Sequence, residues 1–327
     1  MDQPGDADSL RLAEAALPEL PAAAYLRVRL KAAGVNPVDT KLRKNGTYYP
    51  GRFPVILGCD GAGVVESAGA AVTRFKPGDE VYFCHGGIGG APGNYAEYAV
   101  VHEDFAAAKP RSLSFTQAAA VPLVLITAWE SLFERAALQS GQAVLIQAAA
   151  GGVGHVAVQL ARHAGARVAA TVSGDEKARL AKRLGAELTI DYRHENFVDA
   201  ALKWTNGEGV DVVFDTVGGA TFCRAFAAAK VYGKIVTLLQ SDCAAADIKL
   251  ARARNQSIHY ELMLTPMHLG LHDECVRQRK ILEAGAKMIE QGQLEVLVNH
   301  TLPLEQAAEA HRLIEAGHAT GKIVLEI

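Results

Sequence analysis

The sequence lacks several features that mark secreted, membrane or nucleic-acid-binding proteins. Its five cysteines are an odd number among 327 residues and form no C-x-x-C pair, so we expect a reduced, intracellular chain without a disulfide framework. Its formal net charge is only −3 and its basic residues are dispersed, which argues against nucleic acid or anionic lipid as a partner. Its apolar runs are too short to span a bilayer, and its acidic start has no apolar leader, so we expect a cytoplasmic protein.

The apolar residues follow two different patterns along the chain. The length of 327 residues suggests about two domains of roughly 150 residues each, and half of the residues are hydrophobic, so a large core can be buried. In the first third, Leu26, Val28 and Leu30 alternate with charged residues, as in a half-buried strand. After Ser114, helical and strand patterns alternate, which predicts a parallel sheet covered by helices on both faces.

The alternating part of the chain predicts an α/β domain, a doubly wound Rossmann sheet over residues 119–264. Its expected strands are 143–146, 168–172, 187–192, 210–217, 234–239 and 258–264, and its first two helices are 152–165 and 175–184. The tail changes pattern again, with expected helices over 281–291 and 304–316 and a final strand over 322–327. We therefore assign residues 1–118 and 265–327 to one discontinuous, mainly-β domain.

A glycine-rich turn, which we call the phosphate loop, lies between the first strand and the first helix of the Rossmann domain. Residues 148–154 have the pattern A-x-x-G-x-x-G. Gly151 lets the backbone approach a pyrophosphate, Gly154 lets the helix pack against the strand, and the positive end of the helix attracts the anion. An ordinary strand-to-helix turn is the alternative, but a second strand about 20 residues further on favours a dinucleotide. The expected contacts are Ala149, Gly151, Gly152, Val153 and Gly154.

The end of the second Rossmann strand predicts which dinucleotide is bound. An Asp or Glu at this point would bind a ribose 2′-hydroxyl and repel a 2′-phosphate. Here Ser173 can donate a hydrogen bond and Lys177 can supply positive charge, so we expect NADPH rather than NADH. Tyr192, at the end of the third strand, is expected beside the adenosine ribose. The alternatives are a solvated Lys177, its field weakened by Asp175 and Glu176, and a Tyr192 that only packs on its strand.

With these motifs in place, the chain resembles a known family. It looks like a medium-chain dehydrogenase/reductase of the zinc-independent quinone oxidoreductase, or zeta-crystallin-like, branch. The resemblance is carried by residues 32–39, 58–65, 75–81, 148–154 and 319–322, which follow the family's order. It implies a GroES-like catalytic domain built from both ends of the chain, a Rossmann domain, and an active site in the cleft. It also implies a homodimer or homotetramer joined through sheet edges, for which strand 258–264 is the candidate.

The residues that hold zinc in other members of this superfamily are missing. By the resemblance, zinc-dependent members have a cysteine or similar ligand where Asn36 stands, a histidine where Cys59 stands, and a third ligand near 121–125. Catalytic zinc needs three protein ligands, so we expect no metal. Without a Lewis acid the acceptor must already be electrophilic, which fits small-molecule quinones and α,β-unsaturated carbonyls that take a hydride from NADPH.

The resemblance also implies which residues meet the reacting groups. Asn36 would face the nicotinamide side of the cleft with Asp39 nearby, and Tyr48 matches a tyrosine that donates to a substrate carbonyl. Thr127 matches a residue that contacts the nicotinamide. The open alternatives are that Asn36 is only a turn residue before a proline and that Tyr48 only packs at the domain edge.

Two more residues complete the expected cofactor site. Gly218, after the fourth Rossmann strand, is expected to approach the cofactor, or else to form only a tight turn. Lys322 is expected to reach the cofactor from the C-terminal segment, or else to be an ordinary lysine at a strand edge. His155 and His163 lie on the first Rossmann helix, and we interpret them as surface residues.

The sequence leaves more than one function open. An NADPH-dependent quinone or enone reductase is the leading hypothesis. A non-catalytic NADPH-binding or structural protein could use the same fold, since this chemistry requires no unmistakable catalytic triad. A zinc alcohol dehydrogenase is a third hypothesis, which the missing metal ligands oppose.

Overall fold

The computed structural model describes residues 1–317 and 319–327 and divides the chain into two units. Unit 1 comprises Met1–Ile126 and Leu264–Ile327, and unit 2 comprises Thr127–Met263. The sequence places the first domain boundary between residues 118 and 119, whereas in the structure the segment up to Ile126 packs with unit 1. One reason is that the backbone N–H of Leu123 donates to the buried carboxylate of Asp60 at 2.8 Å.

The strands and helices are numbered along the chain. The strands are β1 (Tyr25–Val35), β2 (Asp60–Ala68), β3 (Glu80–Cys84), β4 (Tyr98–His102), β5 (Ala106–Ala108), β6 (Ala143–Ile146), β7 (Arg167–Val172), β8 (Leu188–Asp191), β9 (Val210–Asp215), β10 (Ala229–Thr237), β11 (Ser257–Tyr260), β12 (Val298–Pro303) and β13 (Lys322–Glu326). The helices are α1 (Pro37–Asn45), α2 (Phe115–Ala119), α3 (Pro122–Trp129), α4 (Gly154–His163), α5 (Asp175–Leu184), α6 (Phe197–Trp204), α7 (Gly219–Ala228), α8 (Ala245–Ala253), α9 (Thr265–Leu269), α10 (His272–Glu290) and α11 (Ala307–Ala316). No helix in the described part of the chain combines the length and the apolar character that crossing a membrane requires.

Unit 1 is built on a seven-stranded mixed sheet. Its strand order is β12-β13-β1-β2-β3-β5, and β4 also pairs with β1. The alternation predicted for β1 is confirmed, because Leu26, Val28 and Leu30 are almost completely buried while Arg29 is exposed. Since β13 lies between β12 and β1, the interpretation of Lys322 as a strand-edge lysine is wrong.

Unit 2 has the doubly wound α/β architecture that the sequence predicts. Its six strands are all parallel, in the order β11-β10-β9-β6-β7-β8. Counted from β6, this is the 3-2-1-4-5-6 order of a Rossmann sheet. The order reverses between β6 and β9, so the loops that follow these two strands open at the place where such sheets bind ligands.

Some element boundaries differ from the sequence predictions. β11 ends at Tyr260 rather than at residue 264. α10 begins at His272 rather than at residue 281, because its first turns are rich in polar residues that obscure the helical period. By contrast, α5 spans Asp175–Leu184 as predicted, since Gly174 and Gly185, both at positive φ, delimit it.

β11 forms an edge of the unit 2 sheet within the described residues. Ile258 and Tyr260 on this strand are 37% and 61% exposed. Exposed apolar side chains on an edge strand are typical of surfaces that another chain covers. The pairing of sheet edges between subunits stays a prediction.

Two cysteines contradict the expectation of a chain without disulfides. Cys223, on α7, and Cys243, in the segment between β10 and α8, form a disulfide with Cα atoms 5.4 Å apart. They are 20 residues apart in sequence and share no motif. The fold brings them together because β9 and β10 are neighbouring parallel strands, so the segments that follow them start at the same edge of the sheet.

Candidate functional site

The phosphate loop joins β6 to α4 and is held by hydrogen bonds to the neighbouring strand β7. The backbone N–H of Ala148 donates to Oγ1 of Thr171 at 3.0 Å, and the N–H of Ala149 donates to the Thr171 carbonyl oxygen at 3.0 Å. The N–H of Gly151 closes the turn by donating to the carbonyl oxygen of Ala148 at 2.9 Å. In the first turn of α4 the N–H of His155 donates to the Gly151 carbonyl oxygen at 3.1 Å, so the N–H groups that can meet an anion are those just before it.

Gly154 is the position of the loop at which another side chain does not fit. A Cβ atom here would lie 2.3 Å from the carbonyl oxygen of Ala148 and 2.8 Å from the Cα atom of Ala149. At Gly151 the nearest atom, again the carbonyl oxygen of Ala148, would be 3.2 Å away. The close packing between loop and helix that the sequence predicts for Gly154 is therefore present.

The expectation that His155 is a surface residue is wrong. Its side chain is 0% exposed, whereas His163 is exposed as expected. The Nδ1 atom of His155 lies 2.9 Å from the carbonyl oxygen of Gly151, so Nδ1 donates and ties the loop to the first turn of α4. Gly151 and His155 are four positions apart, and residues with this spacing face each other across a helical turn. This spacing is the sequence signal that could have indicated a contact between His155 and the loop.

A groove of about 470 Å³ opens beside the phosphate loop in unit 2. Tyr192 lines it and is 51% exposed, and its predicted place beside the adenosine ribose stays a prediction. Arg193 and Arg224 bring positive charge to the groove, and the guanidinium of Arg224 lies 4.7 Å from the ring centroid of Phe197. A groove with two arginines, an aromatic wall and a helix N-terminus suits a phosphorylated nucleoside.

Arg193 places its charge close to the end of β7. A Cβ atom on Gly174 would lie 2.7 Å from Nη2 of Arg193, so the guanidinium reaches the residue that follows Ser173. Arg193 also pairs with Asp191 at 3.0 Å, and this hydrogen-bonded pairing lowers the pKa of Asp191 to about 2. The sequence predicts Ser173 and Lys177 at this position but not Arg193, because Arg193 follows β8 whereas Ser173 follows β7.

Four other predicted cofactor residues belong to unit 2. Ser173 and Lys177 are half-buried at the end of β7 and on the first turn of α5. Gly218 forms a tight turn at a φ of 75°, and Thr127 is 5% exposed. Both side-chain polar atoms of Gln147, which precedes the loop, are buried without a partner among the described residues, as occurs where a ligand or water completes a site. Contacts of these residues with a cofactor stay predictions.

Unit 1 contains a group of polar side chains with little exposure, which we call the buried polar cluster. Its members are Asn36, Asp39, Cys59, Asp60, Tyr95, His311 and Lys322. Nδ2 of Asn36 donates to Oδ2 of Asp60 at 2.9 Å, and Nζ of Lys322 donates to Oδ1 of Asn36. Nζ of Lys322 also lies 3.3 Å from Oδ2 of Asp60. The amide of Asn36 is thus held at both ends, and Lys322 joins the two side chains.

Asp39, one of the predicted catalytic residues, accepts two hydrogen bonds and has a strongly shifted pKa. Its Oδ2 accepts from the backbone N–H of Asn36 at 2.9 Å and from the hydroxyl of Tyr95 at 3.0 Å. Burial nevertheless raises the pKa of Asp39 to about 7. The Tyr95 hydroxyl lies 3.2 Å from Nε2 of His311, and burial lowers the pKa of His311 to about 3, so the ring is neutral and donates through Nε2.

These contacts qualify the predicted roles of Asn36, Asp39 and Lys322. Asn36 precedes α1, and the carboxylate of Asp39 caps its N–H, so its place at a turn is real. Asp39 holds Asn36 in position, and Lys322 is 3% exposed within the same cluster. Tyr95 and His311 were not among the predicted residues, because they reach the cluster from distant parts of the chain. The catalytic and cofactor roles stay predictions.

Tyr48 lies in unit 1 against the short helix α9. Its ring centroid is 4.8 Å from that of His268, and the hydroxyl of Tyr49 donates to the carbonyl oxygen of His268 at 3.0 Å. A phenol is protonated at neutral pH, and burial raises the pKa of Tyr48 further, so its hydroxyl can donate a hydrogen bond. The residues around Tyr48 therefore suit the predicted donor role, and His268 is a neighbour that the sequence did not reveal.

Known proteins share this architecture. A family model described as an alcohol dehydrogenase GroES-like domain matches residues 22–111, and one described as a zinc-binding dehydrogenase matches residues 184–325. The chain is 35% identical over 309 residues to a quinone oxidoreductase of Pseudomonas aeruginosa, covering 94% of this chain and 93% of that protein. It is 34% identical over 332 residues to a 2-methylene-furan-3-one reductase of Solanum lycopersicum, covering 98% of this chain and 76% of that protein. The crystal structure of Escherichia coli quinone oxidoreductase complexed with NADPH matches with a TM-score of 0.87 and 29% identity, covering 100% of this chain and 98% of that one.

A GroES-like domain joined to a Rossmann domain defines a protein of the dehydrogenase/reductase class. The chain belongs to the medium-chain dehydrogenase/reductase superfamily, in its quinone oxidoreductase branch. This confirms the family inferred from the five sequence blocks. It also confirms the expected pairing of a Rossmann domain with a GroES-like domain.

Proposed function

We propose that this protein transfers a hydride from NADPH to quinones or α,β-unsaturated carbonyl compounds, and that it uses no metal for this reaction. The observation that carries the proposal is the groove beside the phosphate loop, where Arg193 reaches the end of β7. Support comes from relatives that are named a quinone oxidoreductase and a 2-methylene-furan-3-one reductase, and from a related structure complexed with NADPH.

The residues of unit 2 fit a dinucleotide that carries a 2′-phosphate. The N–H groups at the start of α4 would hold the pyrophosphate, and Gly154 allows α4 to begin close to β6. Lys177 and Arg193 would bind the 2′-phosphate, since a guanidinium pairs with phosphate through two hydrogen bonds. Tyr192 would pack against the adenosine ribose.

The bound cofactor supplies the hydride, so the protein contributes binding, orientation and charge stabilisation. Negative charge develops on the carbonyl oxygen of the acceptor, and a positioned donor stabilises it. We assign this donor to Tyr48, whose phenol carries its proton at neutral pH and whose pKa burial raises further. Asn36 is assigned to the nicotinamide side of the substrate site, with Asp39 and Lys322 as the residues that hold it.

The buried polar cluster is a poor place for a catalytic zinc ion. The cluster already contains a cation, the Lys322 ammonium at 3.3 Å from Asp60. An additional divalent cation would meet electrostatic repulsion there. These contacts support hydride transfer without a Lewis acid.

Turnover with quinones tests this function directly. We expect purified protein to oxidise NADPH in the presence of 1,2-naphthoquinone, 9,10-phenanthrenequinone or a small enone, and to keep this activity after treatment with a chelator. Absorbance of NADPH reports the rate. Tight NADPH binding without turnover of any of these acceptors would favour a non-catalytic NADPH-binding protein instead. Loss of activity to the chelator with an unchanged melting temperature would favour a zinc alcohol dehydrogenase.

Cofactor discrimination is expected to depend on Lys177 and Arg193. Lys177→Ala and Arg193→Ala should each weaken NADPH binding by about tenfold or more, because a hydrogen bond to a charged group contributes about 1.5–3 kcal/mol. NADH binding should change little, since NADH lacks the 2′-phosphate. Fluorescence titration of both cofactors measures the ratio.

A matched control is Lys182→Ala, which removes an exposed lysine from the same helix as Lys177. It should leave the ratio of the NADPH and NADH dissociation constants as in the wild type. An unchanged ratio in both Lys177→Ala and Arg193→Ala would refute the assignment of the 2′-phosphate site.

A further inference from the structure

Three side chains with metal-binding atoms meet in unit 1, outside the buried polar cluster. They are His102 at the end of β4, Asp104 in the turn that follows, and His272 at the start of α10. Their ligand atoms all lie within 4.8 Å of one another. Oδ2 of Asp104 lies 3.1 Å from Nε2 of His272 and 3.7 Å from Nδ1 of His102.

We propose that this cluster, the His102–Asp104–His272 site, binds a divalent transition metal of the zinc class. Zinc binds imidazole nitrogen and carboxylate oxygen at about 2.0–2.2 Å in tetrahedral geometry, which separates neighbouring ligand atoms by roughly 3.4 Å. The two distances from Asp104 lie on either side of this value. The side chains of His102, Asp104 and His272 are 18%, 34% and 48% exposed, so an ion can enter and water can fill the fourth position.

The packing around the site orients the two imidazoles. Phe105 lies 5.2 Å from the ring of His102 and 5.1 Å from that of His272, measured between centroids. Tyr25 contacts His102 edge-on at 5.2 Å. Rings that are held in this way lose less conformational freedom when they bind a metal.

Hydrogen bonds indicate which atoms of the site can act as metal ligands. The backbone N–H of Asp104 donates to Nδ1 of His102 at 3.1 Å, which shows that this nitrogen carries the lone pair. A bound ion would take the place of that hydrogen bond. The nearby Arg279 donates to the backbone carbonyl of Asp104 and pairs with Glu283, so the Asp104 carboxylate is left to the imidazoles.

Metal binding here would join segments that are far apart in sequence. His272 begins α10, and the preceding α9 carries His268 against Tyr48 and Tyr49. A metal held by His102, Asp104 and His272 would fix the start of α10 to the end of β4. The bound metal would therefore stabilise the segment that packs on Tyr48.

The test uses the full-length protein after chelator treatment and dialysis. Zinc is titrated in competition with a chromophoric chelator, and we expect one equivalent to bind and the melting temperature to rise by a few degrees in excess zinc. Asp104→Asn and His272→Ala should each weaken binding by at least about tenfold. Two control variants should bind zinc as the wild type does: His163→Ala, an exposed histidine on α4, and Cys59→Ser, the thiol of the buried polar cluster.

Two results would overturn the proposal. One is the absence of a tightly bound zinc equivalent in the wild type, and the other is wild-type affinity in both Asp104→Asn and His272→Ala. Either would leave the three side chains as a hydrogen-bonded group that binds no metal. Asp104→Asn preserves shape, so a wild-type circular dichroism spectrum separates loss of a ligand from unfolding. Because the readout is zinc binding, a failure of quinone turnover does not affect this test.

Discussion

Replacing Lys322 by methionine is expected to lower the free energy of unfolding by about 3–5 kcal/mol at neutral pH, because it leaves a buried charge without its partner. Lys322 is 3% exposed, and its ammonium contacts Oδ1 of Asn36, Oδ2 of Asp60 and the carbonyl oxygen of Val35. Methionine fills a similar volume but offers no donor to these oxygen atoms. The effect should therefore come from charge and hydrogen bonding rather than from a cavity.

The loss of stability in Lys322→Met should depend on pH. Burial raises the pKa of Asp60, and the Lys322 ammonium opposes that rise. Without the ammonium, the folded-state pKa moves further above the unfolded value. A carboxyl group whose pKa is raised in the folded state stabilises the protein below its unfolded-state pKa. This stabilisation is lost as the pH rises through the folded-state pKa. The variant should thus be less impaired near pH 5 than near pH 8.

Urea unfolding followed by far-ultraviolet circular dichroism measures these changes. Tryptophan fluorescence is less suitable, because Trp129 and Trp204 both belong to unit 2. Lys44→Met removes an exposed lysine of α1 and serves as the control. The double variant Asp60→Asn/Lys322→Met should recover part of the loss, since it removes both charges. A loss below about 1 kcal/mol in Lys322→Met, the same at both pH values, would contradict the prediction.

Replacing Gly154 by alanine is expected to weaken NADPH binding by at least about 100-fold. The new Cβ atom would lie 2.3 Å from the Ala148 carbonyl oxygen and 2.8 Å from the Ala149 Cα atom, so the loop or the start of α4 must move. Several hydrogen bonds to the pyrophosphate would then be lost together, each contributing about 1.5–3 kcal/mol because the acceptor is charged. The melting temperature should fall as well, since backbone atoms must shift.

Gly151→Ala is the matched comparison within the same loop. Its Cβ atom would lie 3.2 Å from the Ala148 carbonyl oxygen, so the folded protein should tolerate it with little change in melting temperature. If Gly151 faces the pyrophosphate, its affinity for NADPH should still fall. Fluorescence titration and thermal unfolding of both variants separate the two roles. Wild-type affinity and melting temperature in Gly154→Ala would show that the loop adapts freely.

The elements that sequence reasoning identified are those whose signals are local. α5 is bounded by Gly174 and Gly185, and the buried strands of unit 2 are short apolar runs between turns, so each could be read within a dozen residues. The phosphate loop was equally accessible, because its glycines, the strand before it and the helix after it are contiguous.

Features that depend on chain segments meeting in space could not be read from one sequence. The disulfide joins Cys223 to Cys243 because two parallel strands end side by side. Arg193 approaches Gly174 only because β7 and β8 are neighbours. Lys322 meets Asn36 because β13 is inserted beside β1. These residues belong to no sequence motif, and their contacts follow from the order of the strands in the two sheets.

The position of β13 in the unit 1 sheet also constrains the order in which the protein can fold. β13 pairs with β1 on one side and β12 on the other, so this sheet needs strands from both ends of the chain. Unit 2, Thr127–Met263, is one continuous stretch and can form while the chain is still being synthesised, since domains generally fold as units during translation. Unit 1 must wait for its last strand, and until then β1 exposes an unpaired edge that other chains can bind.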